Sequence, residues 1–240
     1  MIDLTTRKIL PVRVLFILSN SETAFWLSEL THPYWHLSER GVEVDLSSPK
    51  GGKVVWDPYS DPYFENSTEP DDLVSRGFLS DKALVAKLDA TLRLQDVSLD
   101  IYDAVHVAGG RGATFDLYPN DDVARALEHF WARGKVVGAI CHGAIALGNI
   151  PDRIRGRRVT GYTLEGDREL QRLFGSGFLI PHYPQTVLEE VGAVYSRVAP
   201  DDPYVIVDDK LVTGQNQQSA SEYALALLHE IDGRSPVSVG

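Results

Sequence analysis

The sequence predicts an α/β protein built on a mostly parallel sheet, and three observations carry that expectation. Apolar, β-branched runs recur along the chain with helical patterns between them, the strand, helix, strand order that a parallel crossover requires. One of these runs passes unbroken through Val136-Val137-Gly138-Ala139-Ile140-Cys141-His142-Gly143-Ala144-Ile145-Ala146-Leu147, a strand entering a helix through a single tight turn. The 240 residues, 43% of them apolar, are enough for one sizeable core.

After a polar start, Val12-Arg13-Val14-Leu15-Phe16-Ile17-Leu18 reads as the first buried strand, ended by Ser19-Asn20-Ser21, whose side chains suit a helix N-terminus. The helix that follows has Phe25, Leu27, Leu30 and Leu37 as its apolar stripe; it should kink or restart at Pro33 and stop at Gly41. Val42-Glu43-Val44-Asp45-Leu46 alternates as the second strand. Residues 53–80 lack a period and carry aromatics, prolines and acids, as an irregular surface loop or a lid does. A helical pattern resumes over 81–94, and Tyr102-Asp103-Ala104-Val105-His106-Val107-Ala108 makes a strand running into Gly109-Gly110-Arg111-Gly112-Ala113. A helix over 121–133, with Val123, Leu127, Phe130 and Trp131 on its apolar side, leads to the strand before Cys141. Beyond it come a strand over 158–163, helices over 164–174 and 186–191, a strand over 194–198, a hairpin over 204–214 with an Asp-Asp turn, a last helix over 219–231 and a loose end from Gly233. No linker or repeat divides the chain, which reads as a single domain over 1–240 with its core at about 12–231 and an irregular insertion at about 53–80.

Lys and Arg number 23 against 34 Asp and Glu, a formal net charge of −11, which disfavours non-specific binding to nucleic acid or to an anionic membrane. The one basic cluster, residues 153–158, is short and reads as a solvated connection. A single cysteine cannot form an internal disulfide, and there is no apolar leader or membrane-length apolar run, so a reducing, cytoplasmic compartment is expected.

That cysteine centres the functional reading. Ala139 and Gly143 stand two residues before and after it, where a nucleophile elbow needs small side chains because its strained turn brings backbones together. At a helix N-terminus the thiol would meet free backbone N–H groups, which favour thiolate and lower its pKa. The bland alternative is a cysteine that serves as a small buried hydrophobe. His142 is a candidate base, and an acid of Thr163-Leu164-Glu165-Gly166-Asp167 is a candidate to orient it. Backbone N–H groups of the glycine-rich turn and of His142 are candidates for an oxyanion hole. Glu29, beside Leu27 and Leu30, would carry a raised pKa in apolar surroundings and suit proton transfer; its alternative is an exposed helix glutamate. Glu29, His32 and His36 share helical spacing and mimic a metal site, but Pro33 disturbs the spacing and no metal is expected.

With these motifs assembled, the chain resembles the ThiJ/PfpI superfamily, in particular its branch of glutathione-independent glyoxalases and small heat-shock chaperones. The resemblance runs from Val12 to about Ile231 and is carried by Glu29-Leu30-Thr31-His32-Pro33, Ser48-Pro49-Lys50-Gly51-Gly52, Asp57-Pro58-Tyr59-Ser60, Gly109-Gly110-Arg111-Gly112-Ala113-Thr114-Phe115-Asp116-Leu117, Ala139-Ile140-Cys141-His142-Gly143, Val159-Thr160-Gly161-Tyr162-Thr163 and Leu211-Val212-Thr213-Gly214-Gln215-Asn216. It implies a flavodoxin-like three-layer sandwich of the class I glutamine amidotransferase-like kind, paired into a homodimer. It also implies a lyase that converts small α-oxoaldehydes, methylglyoxal to lactate, with no metal or organic cofactor. The resemblance carries the nucleophile to Cys141, its histidine to His142, the proton-handling carboxylate to Glu29 and the third acid to Asp167, with Glu165 in reserve. Oxyanion and substrate contacts fall on Gly110, Arg111 and the backbone of His142. The rival readings are a stress chaperone, a cysteine redox sensor, and a hydratase or deglycase acting on another small electrophile. Where the branch usually has histidine this chain has Arg111, whose guanidinium suits carboxylates, so an anionic carbonyl substrate is one expectation. The other is that Arg111 faces solvent or pairs with Asp116.

Overall fold

The computed structural model describes residues 12–233, so the polar start before Val12 and all of the expected loose end beyond Gly233 lie outside the described residues. β1 (Arg13–Ile17) leads through a loop to α1 (Ser28–Ser38) and back to β2 (Glu43–Ser48). α2 (Leu73–Ser80), α3 (Lys82–Leu88) and the short β3 (Leu92–Arg93) precede β4 (Ala104–Val107), α4 (Ala113–Asp116), α5 (Asp121–Ala132) and β5 (Val136–Ile140). A 3-10 helix over Cys141–Asn149 is followed by α6 (Pro151–Ile154), β6 (Arg158–Val159), α7 (Leu164–Phe174), α8 (Pro184–Glu190) and β7 (Val194–Tyr195). The chain closes with the hairpin of β8 (Val205–Asp208) and β9 (Leu211–Gly214) and with α9 (Ala220–Asp232).

Seven strands form one sheet in the order β3-β2-β1-β4-β5-β9-β8, parallel throughout except where β8 meets β9. Leaving aside the β3 edge and β8, this is the flavodoxin-type winding, and it is the α/β sandwich that the motifs imply. Because successive side chains point to opposite faces, each strand feeds two cores. Leu15, Val105 and Val137 pack toward Leu127, Phe130 and Leu147 on one face, while Phe16, Ala104 and Ile140 pack toward Leu30, Tyr223 and Leu227 on the other. Chain order reverses between β1 and β4, so a crevice opens at their C-terminal ends, and Cys141 follows the end of neighbouring β5.

Several expectations are corrected. Ser19-Asn20-Ser21 cap no helix: Asp116 accepts from Ser19 Oγ and from the Asn20 N–H, each at 2.7 Å, so these residues fasten the loop to α4, and α1 starts only at Ser28. Nor does α1 restart at Pro33. The proline lacks the N–H that would bond the Glu29 carbonyl four residues back. His106 Nε2 donates to that carbonyl at 2.9 Å instead, so the helix passes the proline without orphaning a buried group. The 53–80 stretch is not irregular to its end, because Asp72 Oδ1 accepts from the N–H groups of Val74 and Ser75 and starts α2. Asp81 caps α3 in the same way, and α3 ends at Leu88 rather than 94. The strands expected over 158–163 and 194–198 shrink to two residues each, paired with one another outside the main sheet. The hairpin turns at Asp209 and Lys210, with Asp209 at φ +58°.

Candidate active site

β5 ends in extended conformation at Ile140 and the chain reverses at Cys141, whose φ of +56° is left-handed and costs a residue with a side chain about 1–2 kcal/mol. The small residues around it are required by contact. A Cβ on Gly143 would stand 2.7 Å from the carbonyls of Ala108 and Val107, and one on Gly110 would stand 2.5 Å from the Trp26 nitrogen. Gly110 itself sits at φ +87°. This turn aims the Gly110 and His142 N–H groups at the Cys141 sulfur, the two donors expected of an oxyanion hole.

His142 lies between the sulfur and an acid. Its Nδ1 is 3.5 Å from Sγ and its Nε2 is 2.9 Å from Asp167 Oδ1, with the ring stacked on Tyr162 at 4.3 Å between centroids. Asp167 is fully buried in the first turn of α7, which Thr163 Oγ1 caps at the Gly166 N–H. Glu165 is exposed and pairs with Arg197 at 2.7 Å. Two residues apart on a helix is about 200° of rotation, so only one of these acids can face His142.

Glu29 projects from the first turn of α1 and is fully buried. Its Oε2 accepts from the Gly109 N–H at 2.7 Å, and the Cys141 thiol meets the same carboxyl. Burial pushes Glu29 up to about 8, against the opposing pull of the Cys141 and Gly109 contacts, and the charge of Glu69 adds to the rise. The expected low-pKa thiol is not found. Burial pushes the Cys141 thiol well above its ordinary value and the neighbouring Glu29 pushes it further, more than the N–H groups of His142 and Gly110 offset. The helix-terminal donors are present, but the residue is only 4% exposed and shares its pocket with a carboxyl. Thiol and carboxyl therefore hold their protons together, and a proton leaving sulfur has an acceptor already in contact.

Cys141 and His142 open into a cavity of about 450 Å³ with aromatic walls that include Trp26, Tyr59, Phe174 and Phe178. Arg111 lies on this cavity, and Asp116 is engaged with Ser19 and Asn20 rather than with it. The guanidinium covers the Phe178 ring at 4.8 Å and donates to the Gly177 carbonyl at 3.1 Å. Its charge also favours the ionised form of Asp57, a cavity carboxyl that burial pushes up. Arg111 is thus engaged with the cavity's own wall, which weakens the expectation of a carboxylate-bearing substrate.

The metal mimic also dissolves on contact. His32 bonds Ser221 Oγ at 2.7 Å and Asp72 Oδ1 at 3.1 Å, and among the described residues no three His, Cys, Asp or Glu side chains stand as a metal-binding group. Two residues escaped the sequence reading. Glu69, from the stretch without a period, accepts from Trp26 Nε1 at 2.8 Å and from Ser28 Oγ at 3.0 Å. His106 stands fully buried under Glu29, and its one visible signal was a histidine inside an apolar strand.

The model of the DJ-1/PfpI family matches residues 12–230. The glutathione-independent glyoxalase HSP31 of Saccharomyces cerevisiae is 28% identical over 222 residues, covering 88% of this chain and 90% of that protein. Among solved structures, the Rapid Encystment Protein 24 KDa of Francisella tularensis superposes with a TM-score of 0.81 at 31% identity, over 92% of this chain and 99% of that one. Glyoxalase III from Candida albicans superposes with a TM-score of 0.77 at 26% identity, over 91% and 97% of the two chains.

Proposed function

The chain belongs to the DJ-1/PfpI family, and from that premise we propose that it is a glutathione-independent glyoxalase converting methylglyoxal and water to lactate. The observation that carries this reading is the buried Glu29 carboxyl in contact with the Cys141 thiol beside a cavity of about 450 Å³. Glyoxalases among the relatives, including HSP31 of Saccharomyces cerevisiae and glyoxalase III of Candida albicans, support it.

Glu29 as carboxylate takes the thiol proton, and the sulfur adds to the aldehyde carbon while the carbonyl electron pair moves to oxygen. The Gly110 and His142 N–H groups stabilise that oxyanion, which then receives the proton from Glu29. Again a carboxylate, Glu29 removes the hydrogen on the former aldehyde carbon as a proton and returns it to the adjacent carbon through an enediol, while the hydroxyl proton passes from the first carbon's oxygen to its neighbour's. One carbon is oxidised and its neighbour reduced, so no external oxidant enters. The product of this step is a lactoyl thioester on Cys141. His142, oriented by Asp167, takes a proton from the water that cleaves the thioester and releases lactate and the thiol.

We read the enzyme as a lyase working without metal or organic cofactor, as a single-domain, homodimeric, cytoplasmic protein; the resemblance and the composition support these points. No helix among the described residues is long and apolar enough to cross a membrane. Purified protein given methylglyoxal without glutathione should form lactate, and absence of turnover would sink the reading. A chaperone role has one observation in its favour: Leu173, Phe174 and Leu179, near the cavity mouth, are 76%, 51% and 63% exposed. Suppression of client aggregation that survives Cys141→Ala would support that role. The buried thiol with its raised pKa speaks against a redox sensor.

A further inference from the structure

Glu69 belongs to the stretch between the 3-10 turn at Pro58–Ser60 and α2, forty residues from Glu29 in sequence and joined to it in space. Its two oxygens accept from Ser28 Oγ at 3.0 and 3.1 Å, and Oε2 also accepts from Trp26 Nε1 at 2.8 Å. Ser28 immediately precedes Glu29. Trp26 lines the cavity, and its backbone N–H donates at 3.2 Å to the carbonyl of Gly109, the residue whose own N–H holds Glu29 Oε2. One carboxylate thus ties down the cavity wall and the segment that aims Glu29 at the thiol.

We propose that Glu69 is a positioning residue for the reaction: it holds Trp26 and Ser28 so that Glu29 meets Cys141. This rests on the reading of Glu29 as proton carrier. The charged and titratable groups around the two carboxyls fit the role. Facing Glu69 are Asp72 at the head of α2, a like charge, and His32 on α1, which opposes it. Facing Glu29 are Glu69 itself, the Cys141 thiol, the Tyr223 hydroxyl of α9 and His106 of β4. His106 is held neutral by burial, which lowers it to about 3, and burial raises Tyr223 beyond the working range, so neither supplies a countercharge. Burial raises Glu69 to about 7 and Glu29 to about 8, so Glu69 ionises first as pH rises.

Three variants separate this from a brace. Glu69→Gln keeps the shape and an acceptor oxygen but loses the charge, Glu69→Asp keeps the charge on a shorter arm, and Glu69→Ala loses both. Removing a negative charge lets a neighbouring acid ionise at lower pH. In Glu69→Gln the acid limb of kcat/KM against pH, set near 8 by Glu29, is therefore expected to move to lower pH. Glu69→Asp should keep the wild-type midpoint, and Glu69→Ala should move it as Gln does while lowering the plateau. A profile in Glu69→Gln that is scaled down without moving would overturn the proposal. Cys141 is the only cysteine in the chain, so the rate of iodoacetamide alkylation against pH reads the same pair without any substrate. That profile should also shift to lower pH in Glu69→Gln. If it shifts while wild-type protein leaves methylglyoxal untouched, the glyoxalase reading fails alone. If turnover is present and neither profile shifts, the proposal for Glu69 fails alone.

Discussion

Asp72, His32 and Ser221, where α1, α2 and α9 meet, repeat the connectivity of Asp167, His142 and Cys141. By distance the helix cluster joins nucleophile to base more tightly, with His32 at 2.7 Å from Ser221 Oγ against 3.5 Å from His142 to the Cys141 sulfur. The histidine-to-aspartate links are 3.1 and 2.9 Å. What differs is everything around them. Ser221 lies within a regular helix, whereas Cys141 is held at φ +56° with two backbone donors converging on it and a cavity before it. Burial alone would raise Asp72, but bonds from His32 and Ser75 outweigh it and bring it down to about 2, and the same oxygen caps α2. Only Cys141 has a second, protonated carboxyl in contact. A nucleophile, a base and an acid in a row therefore mark a site less well than strain, an adjoining cavity and a proton held against its usual preference.

The comparison is broken first at its strong end. Cys141→Ala should abolish lactate formation, since Cys141 is the group proposed to carry the acyl intermediate; residual wild-type rates would move the chemistry elsewhere. Glu29→Gln comes next, with turnover expected to fall roughly 10²-fold or more because the amide fits but carries no proton. Stability should move the other way. Glu29 keeps its proton in the folded protein up to about 8 while the unfolded chain releases it near 4.5, so wild-type stability drains away as pH rises through that window. The variant lacks this loss, at most about 1.4 kcal/mol per pH unit, and its advantage in urea midpoint should grow between pH 5 and pH 8. An advantage that stays flat with pH would mean that Glu29 ionises normally.

How much of this was legible in sequence follows from separation along the chain. The elbow is local, and Ala139, Cys141 and Gly143 announced it. Glu29 and Asp167 were reachable because apolar neighbours and a strand end pointed to them, although only the resemblance favoured Asp167 over Glu165, and it is Asp167 that the helix turns toward His142. The partnership of Pro33 with His106 was not legible, since a missing N–H at one residue is compensated by a side chain 73 positions away, on a different strand. Glu69 was hidden for the same reason, and the low-pKa thiol failed because helix-end electrostatics is local while burial belongs to the whole fold.

Asp167→Asn sharpens the comparison from the acid side. The amide still bonds His142 but cannot balance an imidazolium, so a loss of about tenfold or more in turnover is expected, larger in thioester hydrolysis than in its formation. Single-turnover experiments that trap the acyl intermediate separate the two steps. Equal loss in both would place His142 in the proton transfers assigned to Glu29.

The smallest effect is the one that tests whether connectivity alone can make a nucleophile. Ser221 donates to or accepts from a histidine that an aspartate holds in place, yet it belongs to the first turn of α9 and does not line the cavity at Cys141. Its bond links α9 to α1 across 189 residues, a brace whose removal should cost about 1 kcal/mol, the usual net worth of one side-chain hydrogen bond. Ser221→Ala should therefore lower the urea midpoint slightly and leave methylglyoxal turnover unchanged. A fluorophosphonate probe, which needs a serine raised out of its backbone with oxyanion donors beside it, should leave Ser221 of the wild-type protein unlabelled. Labelling at Ser221, lost in His32→Ala, would show that a histidine and an aspartate in line suffice without an elbow, and the distinction between the two clusters would collapse.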